Sequence, residues 1–324
     1  MKSPQRLIFS MGEALVDLLP AELGLLRVAP GGSSYNVALA LARLEAPAGF
    51  VGRLSNDEHG QLMFDALTRQ GVDVALVARD TRPSPLSLIE RGTADGHVRY
   101  HIYLAETAHA PPDLAGDWLA KAAHLHVSSF SAICGTWGQA VVAALREARE
   151  KISSSFDINI RAPLLPPRAE AAALVEERIV LASIVKASDD DLRWLHPDEA
   201  PDAVAMRWAR DGRIVLLTRG PDGASAFRNG EFVSCPAPKI EVVDTIGAGD
   251  AFVAAFLAHA FSEGGLGRGV FSEGGLGRGV VARWEPRALL AALRFATIAG
   301  ALTCTRAGAG APTVSEIRAL QGAV

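Results

Sequence analysis

The stretch DTIGAGDAFVAAFLAHA, Asp244 to Ala260, sets Gly247, Ala248 and Gly249 directly before a carboxylate, Asp250, at the head of an apolar helical run. A helix N-terminus carries unpaired N–H groups and a partial positive charge, and glycines let an anion come close to both. Such a turn can form an oxyanion or phosphate hole. A carboxylate placed there would repel phosphate unless it faces a nucleophile. Asp250 can then accept the proton of a substrate hydroxyl, while the amides of Ala248, Gly249 and Asp250 stabilise charge on a transferring phosphoryl group. The same residues also read as an ordinary glycine turn followed by an N-capping aspartate.

A second cluster, PGGSSYNVALALARLEAPAGFVGRLSNDEHG, pairs Gly31 and Gly32 with Asn36 in the first turn of a helix. Paired glycines let backbone approach a ligand, and an amide side chain can both donate to and accept from a sugar hydroxyl. A capped helix behind a conformationally required glycine pair is the plainer reading. Two other nucleotide motifs are excluded. No GxxxxGK[ST] occurs, and Phe252 stands where a dinucleotide fingerprint needs its third glycine.

These clusters need elements to hold them. Short β-rich runs (LIFSM, AGFVG, HLHVSS, SSFDI, SIVKAS and RIVLLT) alternate with helical patterns (YNVALALARLEA, EHGQLMFDALTRQG, TWGQAVVAALREARE and AEAAALVEERIVLA). That rhythm predicts an α/β fold, a mostly parallel sheet covered by helices on both faces. KIEVVDT reads as a strand leading into the glycine turn. Residues 14–30 and 86–105 break the rhythm with alternating runs and no helix, and Asp95-Gly96 supplies a tight turn. They predict a small separate sheet inserted in the core and able to act as a lid. FSEGGLGRGV at 261–270 is repeated letter for letter at 271–280; its glycine content predicts a surface loop, and it carries no functional weight.

Together the two clusters, in this order and more than two hundred residues apart, resemble the two signatures of the PfkB (ribokinase-like) carbohydrate kinases, over nearly the whole chain. MGEALVDLLP is similar to the family's first strand with its sugar-contacting aspartate. FDINIRAPLL resembles the D-x-N-x-R stretch of fructokinases and ketodeoxygluconate kinases, VLLTRGPDGASAF the nucleotide-side strand and turn, and FATIAGALTCTRAGAGAPT the helix and loop that close over adenine.

The resemblance implies one ribokinase-like domain over residues 1–324, with a three-layer α/β/α core and the lid sheet. It implies an ATP-dependent sugar kinase, most nearly fructokinase-like, with ATP as co-substrate and Mg2+ as cofactor. Asp250 would be the base and Gly247, Ala248 and Gly249 the anion hole. Asp17, Gly32, Ser33, Asn36, Tyr103 and Arg161 would hold the sugar. Ser188, Thr218, Gly220, Gly223, Gly249 and Thr297 would meet the nucleotide. Asp191 would act on Mg2+ through water, and Asp244 with the Ile246 carbonyl would bind a monovalent cation, potassium in many members. It also implies a homodimer paired through the lid sheets.

Departures bear on specificity. The family's N-x-x-E appears as SDDD, Ser188 to Asp191, which also reads as a solvated acidic helix start. Ser33 replaces the lysine of the ribokinase subgroup. The lid's aromatic–Tyr–Arg reads here as Tyr103-Leu104, and losing that arginine points to a neutral hexose rather than an acidic sugar, unless Arg99 or Arg161 compensates. The alternatives are 2-keto-3-deoxygluconate, ribose or a nucleoside as acceptor, or a non-catalytic sugar-binding homologue.

Composition narrows the classes. With 32 Lys+Arg against 36 Asp+Glu and 6% aromatics, the chain offers no basic stripe or stacking surface for nucleic acid. Its three cysteines form no CxxC pair and suit a cytoplasmic protein. The N-terminal apolar run is cut by Glu13 and Asp17 and reads as a first strand rather than a signal peptide. No uncharged run predicts a membrane span. His124 and His126 flank Leu125 on a predicted strand, and alternation alone puts them on one face.

Overall fold

The computed structural model describes residues 6–91, 98–263 and 284–322. Its strands are β1 (Leu7–Met11), β2 (Leu15–Pro20), β3 (Leu26–Gly31), β4 (Ala48–Ser55), β5 (Asp73–Asp80), β6 (Leu86–Arg91), β7 (Val98–Tyr103), β8 (Ala122–Ser128), β9 (Ser153–Asp157), β10 (Ile184–Ser188), β11 (Ile214–Thr218), β12 (Ala224–Arg228) and β13 (Glu231–Cys235).

Nine of them form one sheet in the order β13-β12-β11-β10-β9-β8-β1-β4-β5. It is parallel except at the β11–β12–β13 end, where two antiparallel pairings close it. The six runs read as buried strands in the sequence are all in this sheet. They are buried almost throughout because helices cover both faces. On one face pack Ser33–Arg43, Ala248–Ser262 and Pro286–Cys304, and on the other Gly135–Lys151, Arg168–Leu181 and Pro201–Trp208. Pro286–Cys304 is long and apolar enough to cross a membrane by composition, yet it packs along Ala248–Ser262 and half of it is buried in this core.

The smaller sheet has the order β3-β2-β6-β7, drawn from the two segments that broke the α/β rhythm. Its pairings are antiparallel at β2–β3 and β6–β7 and parallel at β2–β6. The predicted Asp95-Gly96 turn and nearly all of the 261–280 duplication lie outside the described residues.

One sequence expectation needs correction here. KIEVVDT is not a strand: it crosses the chain as an extended segment whose Val243 and Asp244 amides both donate to the Cys304 carbonyl, at 2.8 and 3.2 Å. Its alternation has no sheet behind it, because β13 already ends the sheet and Val242 and Val243 are exposed. Conversely, β5 went unread. It is an edge strand, only half-buried along its length, so neither a continuous apolar run nor clean alternation marks it.

Candidate active site

The helix Ala248–Ser262 is apolar on all sides and buried, so its N-terminus is fixed by the core. Gly247 caps it in the left-handed region (φ 76°), and a Cβ there would stand 2.5 Å from the Ala309 side chain. Only glycine fits this turn. The Ala248 amide reaches the Thr245 carbonyl at 3.3 Å, while Gly249 and Asp250 continue into the first turn, whose amides have no carbonyl one turn back.

Asp250 is buried, and both carboxylate oxygens have partners. Ser33 Oγ donates to Oδ1 at 2.7 Å and Asn36 Nδ2 to Oδ2 at 2.9 Å. Both donors come from the first turn of Ser33–Arg43, which begins behind Gly32 (φ 105°). A Cβ on Gly32 would lie 2.7 Å from the Glu13 carbonyl, so the glycine pair permits this close packing. Asn159, in the left-handed region (φ 41°), donates to Ser33 Oγ at 3.2 Å and extends the chain of contacts. Burial raises the Asp250 carboxyl above the ordinary aspartate value, against the pull of these donors. The two glycine-bearing clusters thus meet at one carboxylate.

Behind it lie two more buried acids. Glu13 accepts from the Ser33 amide at 3.0 Å and from the Ser131 hydroxyl, and burial pushes its pKa up to about 7. Asp17 packs against Gly31, where a Cβ would fall 2.0 Å from its Oδ2, and burial raises it to about 6.

Asp250 and Gly249 line a cavity of about 710 Å³ outside the carboxyl ends of β9, β10 and β11, where open α/β sheets bind ligands. Arg99 and Tyr100 from the small sheet, Arg161, Lys186, Ser188 and Asp191 complete its wall. Arg161 donates to Asn159 Oδ1 and the Ile160 carbonyl, and its guanidinium stands 4.7 Å over the Tyr100 ring.

Ser188 and Asp191 form a capping box: the Ser188 amide donates to Asp191 Oδ2 at 2.7 Å and the Asp191 amide to Ser188 Oγ at 3.0 Å. Asp191 Oδ1 accepts the Ile160 amide at 2.8 Å. Asp191 is therefore buried and ties two loops together, whereas Asp190 is the solvated acid of the run. Asp244 accepts from the Ile246 amide at 3.1 Å and the Gly308 amide at 3.0 Å, beside the glycine turn.

A second cavity, about 630 Å³, opens on the other side of Gly249 and shares Thr218 and Thr245 with the first. Gly220, Gly223, Thr297, Phe252, Ala301 and Val242 line it, and its walls are chiefly apolar. Gly223 (φ 91°) admits no side chain, since a Cβ would meet the Cys235 carbonyl at 2.1 Å.

Of the residues expected to hold the sugar, Arg161 lines the first cavity, Ser33 and Asn36 connect to it through Asp250, Asp17 and Gly32 are packed behind its wall, and Tyr103 faces away. Tyr103 is 59% exposed and outside the cavity, because strand alternation turns it to the outer face of β7, while Tyr100 points inward. Sequence reading also missed Lys186 and Glu13. Each had a signal, an ionisable residue inside a run otherwise destined for burial. His124 and His126 are buried and share hydrogen bonds with Ser153 and Ser155. Among the described residues no cluster of three His, Cys, Asp or Glu has the geometry to hold a metal.

Comparison with known proteins agrees with this architecture. The model of the pfkB family of carbohydrate kinases matches residues 5–316. A fructokinase of Rhizobium leguminosarum bv. trifolii is 34% identical over 78% of this chain and 79% of its own length. The crystal structure of a Xylella fastidiosa fructokinase with bound ATP superposes with a TM-score of 0.84, at 25% identity over 98% of each chain. A Vibrio cholerae fructokinase, solved in a fructose-, ADP- and calcium-bound form, superposes with a TM-score of 0.77, at 25% identity over 98% of this chain and 99% of that one. The chain belongs to the pfkB family of carbohydrate kinases.

Proposed function

We propose that this protein is an ATP-dependent sugar kinase of fructokinase type, moving the γ-phosphoryl group of ATP to a primary hydroxyl of a neutral sugar. The observation that carries it is the position of Asp250, a buried carboxylate at a helix N-terminus where a polar cavity and an apolar one meet. Adenine fits the apolar cavity, with Gly220, Gly223 and Thr297 in its wall and Thr218 at the junction. The phosphates then run over the Gly247–Gly249 turn, with Ser188 nearby, and the sugar enters beneath the small sheet.

Asp250 takes the proton from the sugar hydroxyl as its oxygen attacks phosphorus, and Ser33 and Asn36 hold the carboxylate in place. The amides of Gly249 and Asp250 stabilise the phosphoryl oxygens. Asp17, Gly32, Asn36 and Arg161 form the sugar side. Arg161 is already committed to Asn159, Ile160 and Tyr100, which favours a neutral sugar over a carboxylated one. Closure of the small sheet excludes water and limits idle ATP hydrolysis.

The oxygen donors suit hard cations. Mg2+ keeps most of its ligands from water and nucleotide phosphates, so Asp191, with one oxygen lone pair spare on each side, can act through water. It supplies charge neutralisation for the phosphates. Asp244 and the Ile246 carbonyl suit a monovalent cation beside the turn. Leu26, Val28 and Tyr103 give the small sheet an exposed apolar face that fits pairing of two subunits. The free cysteines fit action in the cytoplasm.

The test is a coupled ADP-release assay over fructose, 2-keto-3-deoxygluconate, ribose, other hexoses and adenosine, with and without potassium. Fructose should turn over best, and Asp250→Ala should remove nearly all of that rate. Preference for the acidic sugar would overturn the neutral-sugar reading and make Arg99 or Arg161 its partner. Sugar binding without turnover would make the protein a sensor.

A further inference from the structure

The helix Ser33–Arg43 has no side-chain cap at its N-terminus. Gly32 occupies the capping position and offers nothing to the amides of the first turn. One of them is satisfied from 20 residues away: Glu13 Oε1 accepts the Ser33 amide at 3.0 Å. Glu13 stands just before β2 and Ser33 just after β3. Carried past the Leu15–Gly31 rung, the antiparallel register of these strands sets Glu13 opposite Ser33. A side chain there takes over the pairing that backbone supplies along the ladder. The other Glu13 oxygen accepts from the hydroxyl of Ser131, in the short helix that follows β8.

A glutamate is a costly choice at this point. It is 3% exposed, and desolvation of its carboxyl works against stability. It lies behind the cavity wall rather than in it. Ser33, however, has its amide on Glu13 and its hydroxyl on Asp250 Oδ1, at 3.0 and 2.7 Å, so one small residue spans two carboxyl groups. A serine hydroxyl has three staggered positions, and only a fixed backbone aims it at one partner. Asn159 donates to the same hydroxyl at 3.2 Å, which leaves the serine proton for Asp250. Next to it, Ser34 Oγ donates to the Met11 carbonyl at 3.0 Å, and a Cβ on Gly12 would fall 2.2 Å from that oxygen. The turn after β1 and the start of Ser33–Arg43 are therefore in close contact. Glu13 serves in either protonation state, because Oε1 remains an acceptor for the amide.

We propose that Glu13 is a positioning residue for the base: by holding the Ser33 amide it fixes the first turn of Ser33–Arg43 and keeps the Ser33 hydroxyl on Asp250. This rests on the kinase reading above. Asp250 remains the group that takes the sugar proton, and Glu13 transfers none. With Ser33 on Oδ1 and Asn36 on Oδ2, the Asp250 carboxylate has one orientation. Without the Ser33 bond it can turn away from the attacking hydroxyl, and a small misplacement of a reacting group is expensive in rate. Ser131 completes the arrangement by anchoring Glu13 to the segment after β8.

Glu13→Met keeps the volume and deletes the acceptor, while Glu13→Gln keeps an acceptor for Ser33 and a donor for Ser131. Steady-state kcat and KM for fructose and ATP are read for each, alone and combined with Ser33→Ala, beside ligand-free crystal structures. Glu13→Met should lose about 10²-fold in kcat with KM for ATP near wild type, and in its structure Ser33 Oγ should leave Asp250. Glu13→Gln should recover most of the wild-type kcat. In the Ser33→Ala background Glu13→Met should cost less than about threefold further, because the route to the base is already cut. Equal losses in both backgrounds, a Met variant as fast as wild type, a Gln variant as slow as the Met variant, or a Met structure with Ser33 Oγ still on Asp250 overturns the proposal. If Glu13→Met does not fold, Ser131→Ala carries the test, since it frees only the second oxygen. A fall in kcat of about tenfold that disappears beside Ser33→Ala upholds the proposal, and one that persists there overturns it. A wild-type protein that phosphorylates no sugar defeats the kinase reading instead, and the crystal structures alone then decide whether Glu13 aims Ser33 at Asp250.

Discussion

The two cavities that meet at Gly249 are built on opposite principles. The one beneath the small sheet is walled by ions, and its charges have partners: Asp250 with Ser33 and Asn36, Lys186 with Asp157, Asp191 with Ser188 and Ile160. The one beyond the turn is made of small and apolar residues, with glycines where backbone must pass close. Fixed charges in a dry site act on a charge that develops during reaction, whereas an apolar slot acts equally on bound reactant and transition state. Changes in the first cavity should therefore act on kcat, and changes in the second on KM for ATP.

The sharpest break of that contrast is Asp250→Asn, which keeps the shape and the Ser33 contact but cannot take a proton. A fall in kcat of about 10³-fold or more, with fructose binding preserved by calorimetry, is expected. Gly247→Ala should come next. It forces a left-handed residue, costing about 1–2 kcal/mol, and a side chain against Ala309, so both Tm and kcat should drop. Ala301→Leu fills the apolar cavity. A rise of about tenfold in KM for ATP, worth about 1.4 kcal/mol, with kcat unchanged, would uphold the division between the cavities; an equal loss in kcat would erase it.

Asp17 gives a subtler test through pH. Its pKa is 3.8 in an ordinary setting and about 6 here, so between these values the folded protein holds more protons than the unfolded chain. Its contribution to stability therefore falls as pH rises through that window. Asp17→Asn should raise the Tm of the ligand-free protein at pH 8, by an amount equivalent to roughly 3 kcal/mol, and the difference should vanish near pH 4. Activity of the wild type should fall below about pH 6, as Asp17 takes up its proton. The smallest effect belongs to Asp190→Ala. That side chain is exposed and paired only with Arg193 on the surface, so stability should change by less than about 0.5 kcal/mol and kcat hardly at all.

Legibility followed burial and locality. The Gly247–Asp250 turn announced itself because its chemistry is contained in four consecutive residues, and the strands of the central sheet because both faces are covered. The segment from Lys239 to Thr245 misled because its alternation fits a strand, while no strand edge was left for it to join. Tyr103 misled because a motif fixes residue types, whereas the pleat of β7 decides which of them face inward.

The sequence by itself determined the α/β alternation, the inserted sheet, the identity of Asp250 and the glycines around it, since each depends on local pattern or backbone sterics. Tertiary structure alone decided that Ser33, Asn36 and Asp250 share one hydrogen-bonded group, that Asp191 is locked to Ile160, and that Lys186 lies against Asp157 beneath Gly249. These contacts join residues from about 30 to more than 200 positions apart, between strands and helices brought together only by packing of the shared core. A charge inside an apolar strand shows that a partner must exist. Only the fold says which one it is.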